Sequence, residues 1–293
     1  MRILTSTTLV AVAGIAAFSL AVFSVAALHL SAQAPAAPKA PAAAAKAAAP
    51  ASSYRAPRSF DGHADISGIY MALNTANWDL EDHSPAPGTM WQTGAIGAIP
   101  PGQSVVEGGT IPYQPEALAK KKANLENRRT SDPEAKCYMP GIPRANYMPY
   151  PFQIVQTPRG VMFVYEFASA NRLVNMGKPD EAATDTWMGT NNGHWEGDTL
   201  VVDVTGLNGL AWFDRAGDYA SNNLHVVERF TRTDATHLDY EATIEDSKVF
   251  TRTWKIKMPL YRMVDKDAQI LEFKCVEFAE ELLYGQYKKQ PAK

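Results

Sequence analysis

Six titratable residues gather around two neighbouring predicted hairpins: His194, Glu196, Asp203, Asp214, His225 and Glu228. A histidine beside a carboxylate in an apolar pocket can move a proton near neutral pH. The chemistry these residues suggest is therefore general acid–base catalysis without a cofactor, with His194, His225, Glu228 and Asp214 as the candidates. A structural account competes with it. Glu196 and Asp198 suit a turn, Asp214 suits a loop cap, and pocket carboxylates mark function only as a matter of frequency.

Other chemistries find less support. His63, His83, His194, His225 and His237 are scattered, with no H-x-H or H-x-x-x-H pair, so no metal site is expected. His225 and His237 share a face of one predicted hairpin, but it is the polar face. There is no G-x-S-x-G elbow, no G-x-G-x-x-G and no P-loop, and neither cysteine lies in a reactive-thiol motif. Net charge is −3. The one basic cluster, Lys120–Lys122 with Arg128 and Arg129, is flanked by Glu116, Glu126, Asp132 and Glu134 and reads as a solvated helix face. Nucleic acid is not an expected partner.

The elements that must position these residues are strands. Gly193–Asn208 holds the clearest hairpin: His194 and Trp195 end one strand, Glu196-Gly197-Asp198 turns, and Thr199–Thr205 returns. Gly197 takes positive φ without steric cost, and the return strand is rich in β-branched residues. Phe152–Gln156 with Val161–Phe167 makes an earlier hairpin, in which Val161, Phe163, Tyr165 and Phe167 share a face. Leu224–Thr231 with His237–Glu245 makes a later one. Phe250–Met258 and Ile270–Glu277 are predicted as the last two strands.

Side chains alternate across a strand, so the inward faces can be listed. Leu238, Tyr240, Ala242 and Ile244 form one. Their partners are Leu224, Val226, Glu228 and Phe230, with Phe230 expected opposite Leu238, Glu228 opposite Tyr240 and Arg229 opposite Asp239. Arg252 shares a face with Phe250, Trp254, Ile256 and Met258. Glu277 shares one with Leu271, Phe273 and Cys275. Three apolar faces thus each carry one charge: Glu228, Arg252 and Glu277. An unpaired buried charge is expensive, so Arg252 is expected to pair with Glu228 or Glu277. End-of-strand residues leaning into water are the competing account.

Residues 1–34 read as a secretory signal peptide: Met1-Arg2, an apolar run over Leu9–Leu30, then the Ala32-Gln33-Ala34 cleavage pattern. The run is also about the 20 residues that can span a bilayer, so an uncleaved anchor is the alternative, and the membrane is a partner only in that case. Residues 35–57, rich in Ala, Pro and Lys, form a tether without a core. Residues 58–288 form one domain. Within it, Pro115–Arg129 is the best helix, packing through Leu118 and Leu125. Asn74–Gly109, a Pro- and Gly-rich loop bearing Trp78, Asp79, Glu81, Asp82, His83 and Trp91, suits a lid or a cover packed over a barrel mouth. Export exposes Cys137 and Cys275 to an oxidising compartment. A disulfide between them and two separate buried thiols both fit.

The residues Gly193-His194-Trp195-Glu196-Gly197-Asp198-Thr199-Leu200-Val201-Val202-Asp203, followed by Trp212-Phe213-Asp214, Leu224–Phe230 and Tyr240–Asp246, resemble a large set of exported bacterial proteins of unassigned function. The resemblance covers most of Phe60–Tyr284. It implies a periplasmic or secreted β-barrel-like domain, lipocalin-like in outline, and transfers no catalytic residues.

The expected architecture is mainly β: an antiparallel meander barrel or strongly curved sheet, with one helix and long Pro-rich loops. Three functions are compatible with it. The first is binding of a small apolar or amphipathic ligand in the barrel mouth, by Tyr165, Trp187, Trp195, Trp212, Tyr240, Trp254, Arg252 and Glu277. The second is a cofactor-free hydrolase, isomerase or lyase using the His/carboxylate pairs. The third is an envelope interaction protein with no small-molecule site.

Overall fold

The computed structural model describes residues 54–88 and 98–287. The expected leader, the tether as far as residue 53, and Trp91 lie outside them. Nine strands close in chain order into one barrel: β1 (Gly68–Met71), β2 (Phe152–Thr157), β3 (Gly160–Tyr165), β4 (Asn171–Asn175), β5 (Thr190–Glu196), β6 (Thr199–Thr205), β7 (His225–Arg232), β8 (His237–Glu245) and β9 (Trp254–Arg262), which returns to β1. Neighbours run antiparallel with one exception. β4 and β5 are parallel and share the single ladder pair Asn175↔Asn192.

Alternation predicts the inside of this barrel well. Leu238, Tyr240, Ala242 and Ile244 of β8 are buried, as are Val226, Glu228 and Phe230 of β7 and Val161, Phe163 and Tyr165 of β3. Their rings interlock across the interior. Phe163 meets Phe230 at 5.1 Å between centroids, Phe230 meets Tyr240 at 5.0 Å, and Phe152 meets Tyr165 at 5.3 Å. Each such fully buried side chain contributes about 1.5–3 kcal/mol. The interior is a packed core, as small barrels generally are.

The hairpin at Gly193–Asn208 forms as expected, with Gly197 at φ 61° in its turn. The β7–β8 register differs from expectation by two residues: Phe230 lies opposite Tyr240, Arg229 opposite Glu241 and Glu228 opposite Ala242. The apolar faces still match, because a two-residue slip preserves face. The turn set the true register. Asp234 accepts from the backbone N–H groups of Thr236 and His237, which tightens residues 233–236 into a compact loop.

Two strands differ from expectation. β9 begins at Trp254 rather than Phe250, so Arg252 precedes the strand and is exposed. Its Nη1 donates to the Thr253 carbonyl. Residues 270–277 are not a strand. β1 already occupies the free edge of β9, through Tyr70↔Arg262 and Met71↔Tyr261. Leu271, Cys275 and Glu277 are exposed, and no barrel face remains for Glu277 to enter.

The predicted helix divides at Asn127 into α1 (Ala117–Glu126) and α2 (Arg128–Ser131). Leu118 and Leu125 face solvent. α1 docks instead by polar contacts. Asn124 donates to the Gly217 carbonyl at 3.1 Å, Lys121 reaches Asp218 at 2.9 Å, and Tyr219 donates to the Ala117 carbonyl at 3.2 Å. Part of the expected lid packs onto the wall: Glu107 N–H donates to the Lys255 carbonyl and Lys257 N–H to the Val105 carbonyl, extending β9 where β1 is too short.

Strand directions sort the connections. The tight turns at residues 158–159, 197–198 and 233–236 lie at one end of the barrel. The long segments 72–151, 206–224 and 246–253 lie at the other. After β9 the chain returns towards that loop-covered end. Phe273 packs on Tyr150 and Phe167, Phe278 N–H donates to the Ala135 carbonyl, and α3 (Ala279–Tyr284) places Glu281 3.4 Å from Arg129.

Cys137 and Cys275 are joined by a disulfide, with Cα atoms 5.9 Å apart and a sequence separation of 138. Loop-entropy models assign about 4–5 kcal/mol to so long a closure, and typical measured values are about 2–4 kcal/mol. The bond fastens the C-terminal segment to coil, outside the barrel ladders. The double variant Cys137→Ser/Cys275→Ser is expected to lose about 2–4 kcal/mol in urea unfolding. It should also expose residues 263–287 to limited proteolysis while β1–β9 stay protected. Unchanged cleavage would show that side-chain contacts alone hold the segment.

Candidate functional site

The weakest point of the barrel wall is the β4–β5 seam. Before Asn175↔Asn192 the two strands separate, and backbone pairing gives way to side chains. Arg172 Nη1 donates to Asn191 Oδ1 at 2.9 Å, and Asn191 Nδ2 donates to the carbonyls of Met188 and Gly189. On the other side of the shared pair the strands close tightly. A Cβ at Gly193 would lie 2.5 Å from Val174 Cγ1 and 2.6 Å from Met176 Sδ, so only glycine admits this approach.

Arg172 points inward from β4 and crosses the interior to Glu228 on β7, with Nη1 2.5 Å from Oε2. Both side chains are fully buried. The guanidinium lies over the Phe163 ring, 4.4 Å from its centroid. Glu228 Oε1 accepts from Tyr240 Oη at 2.7 Å and from Asn146 Nδ2 at 2.6 Å, and Asn146 Oδ1 accepts from Tyr165 Oη at 2.8 Å. Burial pushes the Tyr165 and Tyr240 hydroxyls up, Glu228 adding to the effect at both, so both remain protonated donors. Both carboxylate oxygens are therefore met, as a buried ion needs. The guanidinium is not fully met: Nε and Nη2 are buried without a partner among the described residues. Leaving a buried donor unpaired costs about 1–3 kcal/mol.

Outside this pair the parted strands leave a cleft of about 670 Å³. Arg172 and Asn191 line it together with Trp187, Met188, Leu173 and Met139. Asp180 and Asp185 belong to its lining as well. Leu173 is 55% exposed and Met139 41%. Tyr138 lies 5.2 Å from the Trp187 ring.

Asn146 reaches Glu228 because the coil that carries it is pinned over the loop-covered end. Arg144, fully buried, makes a bidentate pair with Asp132 at 2.8 and 3.0 Å, donates to Glu134 at 2.6 Å and donates from Nε to Asn77 at 3.0 Å. Arg215 holds the same Glu134. Burial alone would raise the Glu134 carboxyl, but Arg144 and then Arg215 hold it below its ordinary value.

Beside this clamp, Asp79, Asp214 and Asp218 bring carboxylate oxygens within 4.8 Å of one another, a spacing that could hold a cation. Other groups already meet that charge. Lys121 Nζ stands 2.9 Å from Asp218, and Tyr113 Oη donates to Asp218 at 2.8 Å. Burial, with Asp218 and then Asp79 adding repulsion, holds the Asp214 carboxyl well above its ordinary range.

The sequence candidates disperse. Glu228 lies inside as expected, but its cation is Arg172 rather than Arg252. Arg252 and Glu277 are on the exterior, which corrects their predicted inward faces. Tyr165 and Tyr240 belong to the buried network, and Trp212 and Trp254 to the core. Trp195 stacks on His63 at 4.9 Å, and Trp187 alone of the expected ligand-binding aromatics lines the cleft. His225 bonds Asp203 at 3.0 Å and His194 bonds Glu196 at 3.3 Å, both on the outer face of the sheet. Asp214 is buried by the clamp. Neither histidine is joined to Glu228 or Asp214 by a hydrogen bond. Sequence reading missed Arg172, Asn146 and Asn191. Arg172 was accessible to the same alternation logic, since it shares a face with Val174. Asn146 sits in coil, where no periodicity exists.

Comparison with family models, with curated proteins and with solved structures returns no match for this chain.

Two outcomes follow for stability. Arg172→Met should cost about 3–5 kcal/mol, because it strands a buried carboxylate. Arg172→Met/Glu228→Gln should lose less than the sum of the single changes, by about 1–3 kcal/mol in a urea double-mutant cycle; strict additivity would mean that the pair is not coupled. For Asp214, the folded state holds a proton that the unfolded chain releases above about pH 4. Its contribution is complete below that pH and is lost as pH rises towards the raised folded value. Asp214→Asn should therefore gain stability relative to the parent as pH increases from 4 to 8. A constant difference across that range would contradict the buried proton.

Proposed function

We propose that this chain is an exported barrel module that binds a small apolar or amphipathic ligand, held in the cleft at the β4–β5 seam rather than inside the barrel mouth. The carrying observation is the cleft itself. Its volume, about 670 Å³, falls in the range of small-molecule sites, and it combines apolar lining with a few converging polar groups. Trp187, Leu173 and Met139 offer apolar contact, and Thr186, Asn191 and Asn208 are polar residues of the same lining.

The proton-transfer reading has weaker support. It needs a histidine within reach of a pocket carboxylate, and no histidine lines the cleft. The reading as an interaction protein draws on the filled barrel interior, but it leaves the cleft unexplained. Export is supported by the signal-like residues 1–34 and by a disulfide of the kind oxidising compartments permit. The resemblance to exported bacterial proteins points the same way.

Native mass spectrometry of protein purified from its own cell envelope tests this reading. The parent should retain a small organic ligand. Leu173→Asp, which places a charge on an exposed lining position, should lose it while keeping the parent's circular dichroism spectrum and melting temperature. A ligand retained equally by both would place binding elsewhere.

A further inference from the structure

We infer that the ligand of the cleft is a short extended peptide, held as an added strand along the free edge of β4. This rests on the cleft being the ligand site, and it follows from the direction of the β4 backbone. In an antiparallel ladder each residue sends its N–H and C=O to one side, and successive residues alternate. Tyr165 N–H donates to the Ala170 carbonyl at 2.9 Å, and the β3–β4 register continues through Phe163↔Arg172 and Val161↔Val174. Ala170, Arg172 and Val174 therefore spend their backbone groups on β3. Asn171, Leu173 and Asn175 send theirs the other way, towards β5.

Of these three, only Asn175 has a ladder partner on β5 among the described residues. Asn171 and Leu173 line the cleft where β5 has moved off, and both are exposed. The edge thus presents donor–acceptor pairs two residues apart, about 7 Å. A second extended backbone carries the same repeat and continues the ladder from the point where β5 leaves it. Strand edges are ordinarily closed off by Lys, Pro or a bulge. β4 reads Asn-Arg-Leu-Val-Asn and pairs with β3 without interruption. Its one charge, Arg172, points inward to Glu228.

Side chains add a preference. Val155, Met162 and Leu173 are register partners across β2, β3 and β4 and form an apolar row on the outer face. Met162 is 36% exposed and Leu173 55%. A peptide residue opposite Leu173 lies on that face and extends the row, so an apolar side chain suits it. Trp187 and Met139 belong to the same lining. From Asn171 to Asn175 the edge runs about 13 Å, the reach of about four extended residues. The bonds are to main chain, so the other peptide positions tolerate variety.

The probe is acetyl-Ser-Leu-Ser-Leu-amide, with two versions N-methylated at residues 1 and 3 or at residues 2 and 4. The nonpeptide 2-naphthol is the control for the cleft. Binding is read by isothermal calorimetry at pH 7. The unmethylated peptide should bind, one methylated version should bind at least tenfold more weakly, and the other should stay within threefold. Hydrogen exchange followed by NMR should slow at the Asn171 and Leu173 amides when the peptide is bound and stay unchanged at Arg172. Leu173→Asp should weaken both the peptide and 2-naphthol. Equal binding by the two methylated versions, or 2-naphthol binding without peptide binding, would overturn strand addition while leaving the cleft as the ligand site. No binding by peptide or 2-naphthol at millimolar concentration, or binding indifferent to Leu173→Asp, would overturn the cleft reading and this inference with it.

Discussion

A guanidinium on β4 reaches through the barrel to a carboxylate on β7, and much of the structure is arranged around that contact. The pair is buried at both ends, where each ion left without the other would carry a heavy desolvation cost. It spans the interior beside the one seam where strand pairing fails. Tyr240 and Asn146 complete the bonding of the carboxylate, Asn191 takes a further bond from the guanidinium, and Phe163 forms a face for the cation. The pair thus joins the two sides of a wall that backbone hydrogen bonds join at only one position.

That arrangement explains why so much chain lies over one end. Asn146 is useful to Glu228 only if its coil is immobilised, and Arg144 immobilises it through Asp132, Glu134 and Asn77. Arg215 links the same cluster to the loop after β6. Coil cannot satisfy its polar groups internally as a helix or ladder does, so a buried coil must be held by side-chain partners. The charged residues in residues 132–146 and 212–218 fit that role. Several that resemble catalytic groups in sequence, Asp214 foremost, belong to this scaffold.

The cleft follows from topology. The antiparallel pairs β2–β3, β5–β6 and β7–β8 are joined by tight turns and pair along nearly their full length. A parallel neighbour needs a crossover, and here residues 176–189 supply it while β4 and β5 drift apart. The gap lies in the wall, where a lining can be half apolar and half polar. The barrel centre is filled by Phe152, Phe163, Phe230 and Tyr240, all buried.

Much of this was legible in the residues alone. Period-two alternation marked the inward faces of β3, β7 and β8, because in a strand facing is a local property that sequence order settles. The turn at Gly197 was legible for the same reason, and Glu228 was correctly placed inside. Tertiary structure decided what alternation cannot express. Whether β9 starts at Phe250 or Trp254 depends on what it pairs with, and that choice put Arg252 in solvent. The closing strand was β1, not residues 270–277, since a barrel needs one partner for its free edge and the N-terminal strand had taken it. The cation for Glu228 came from a strand whose crossover is invisible in local pattern, and Asn146 came from coil. Faces are written along the chain; partners are set by which elements meet in space, and here the partners made the site.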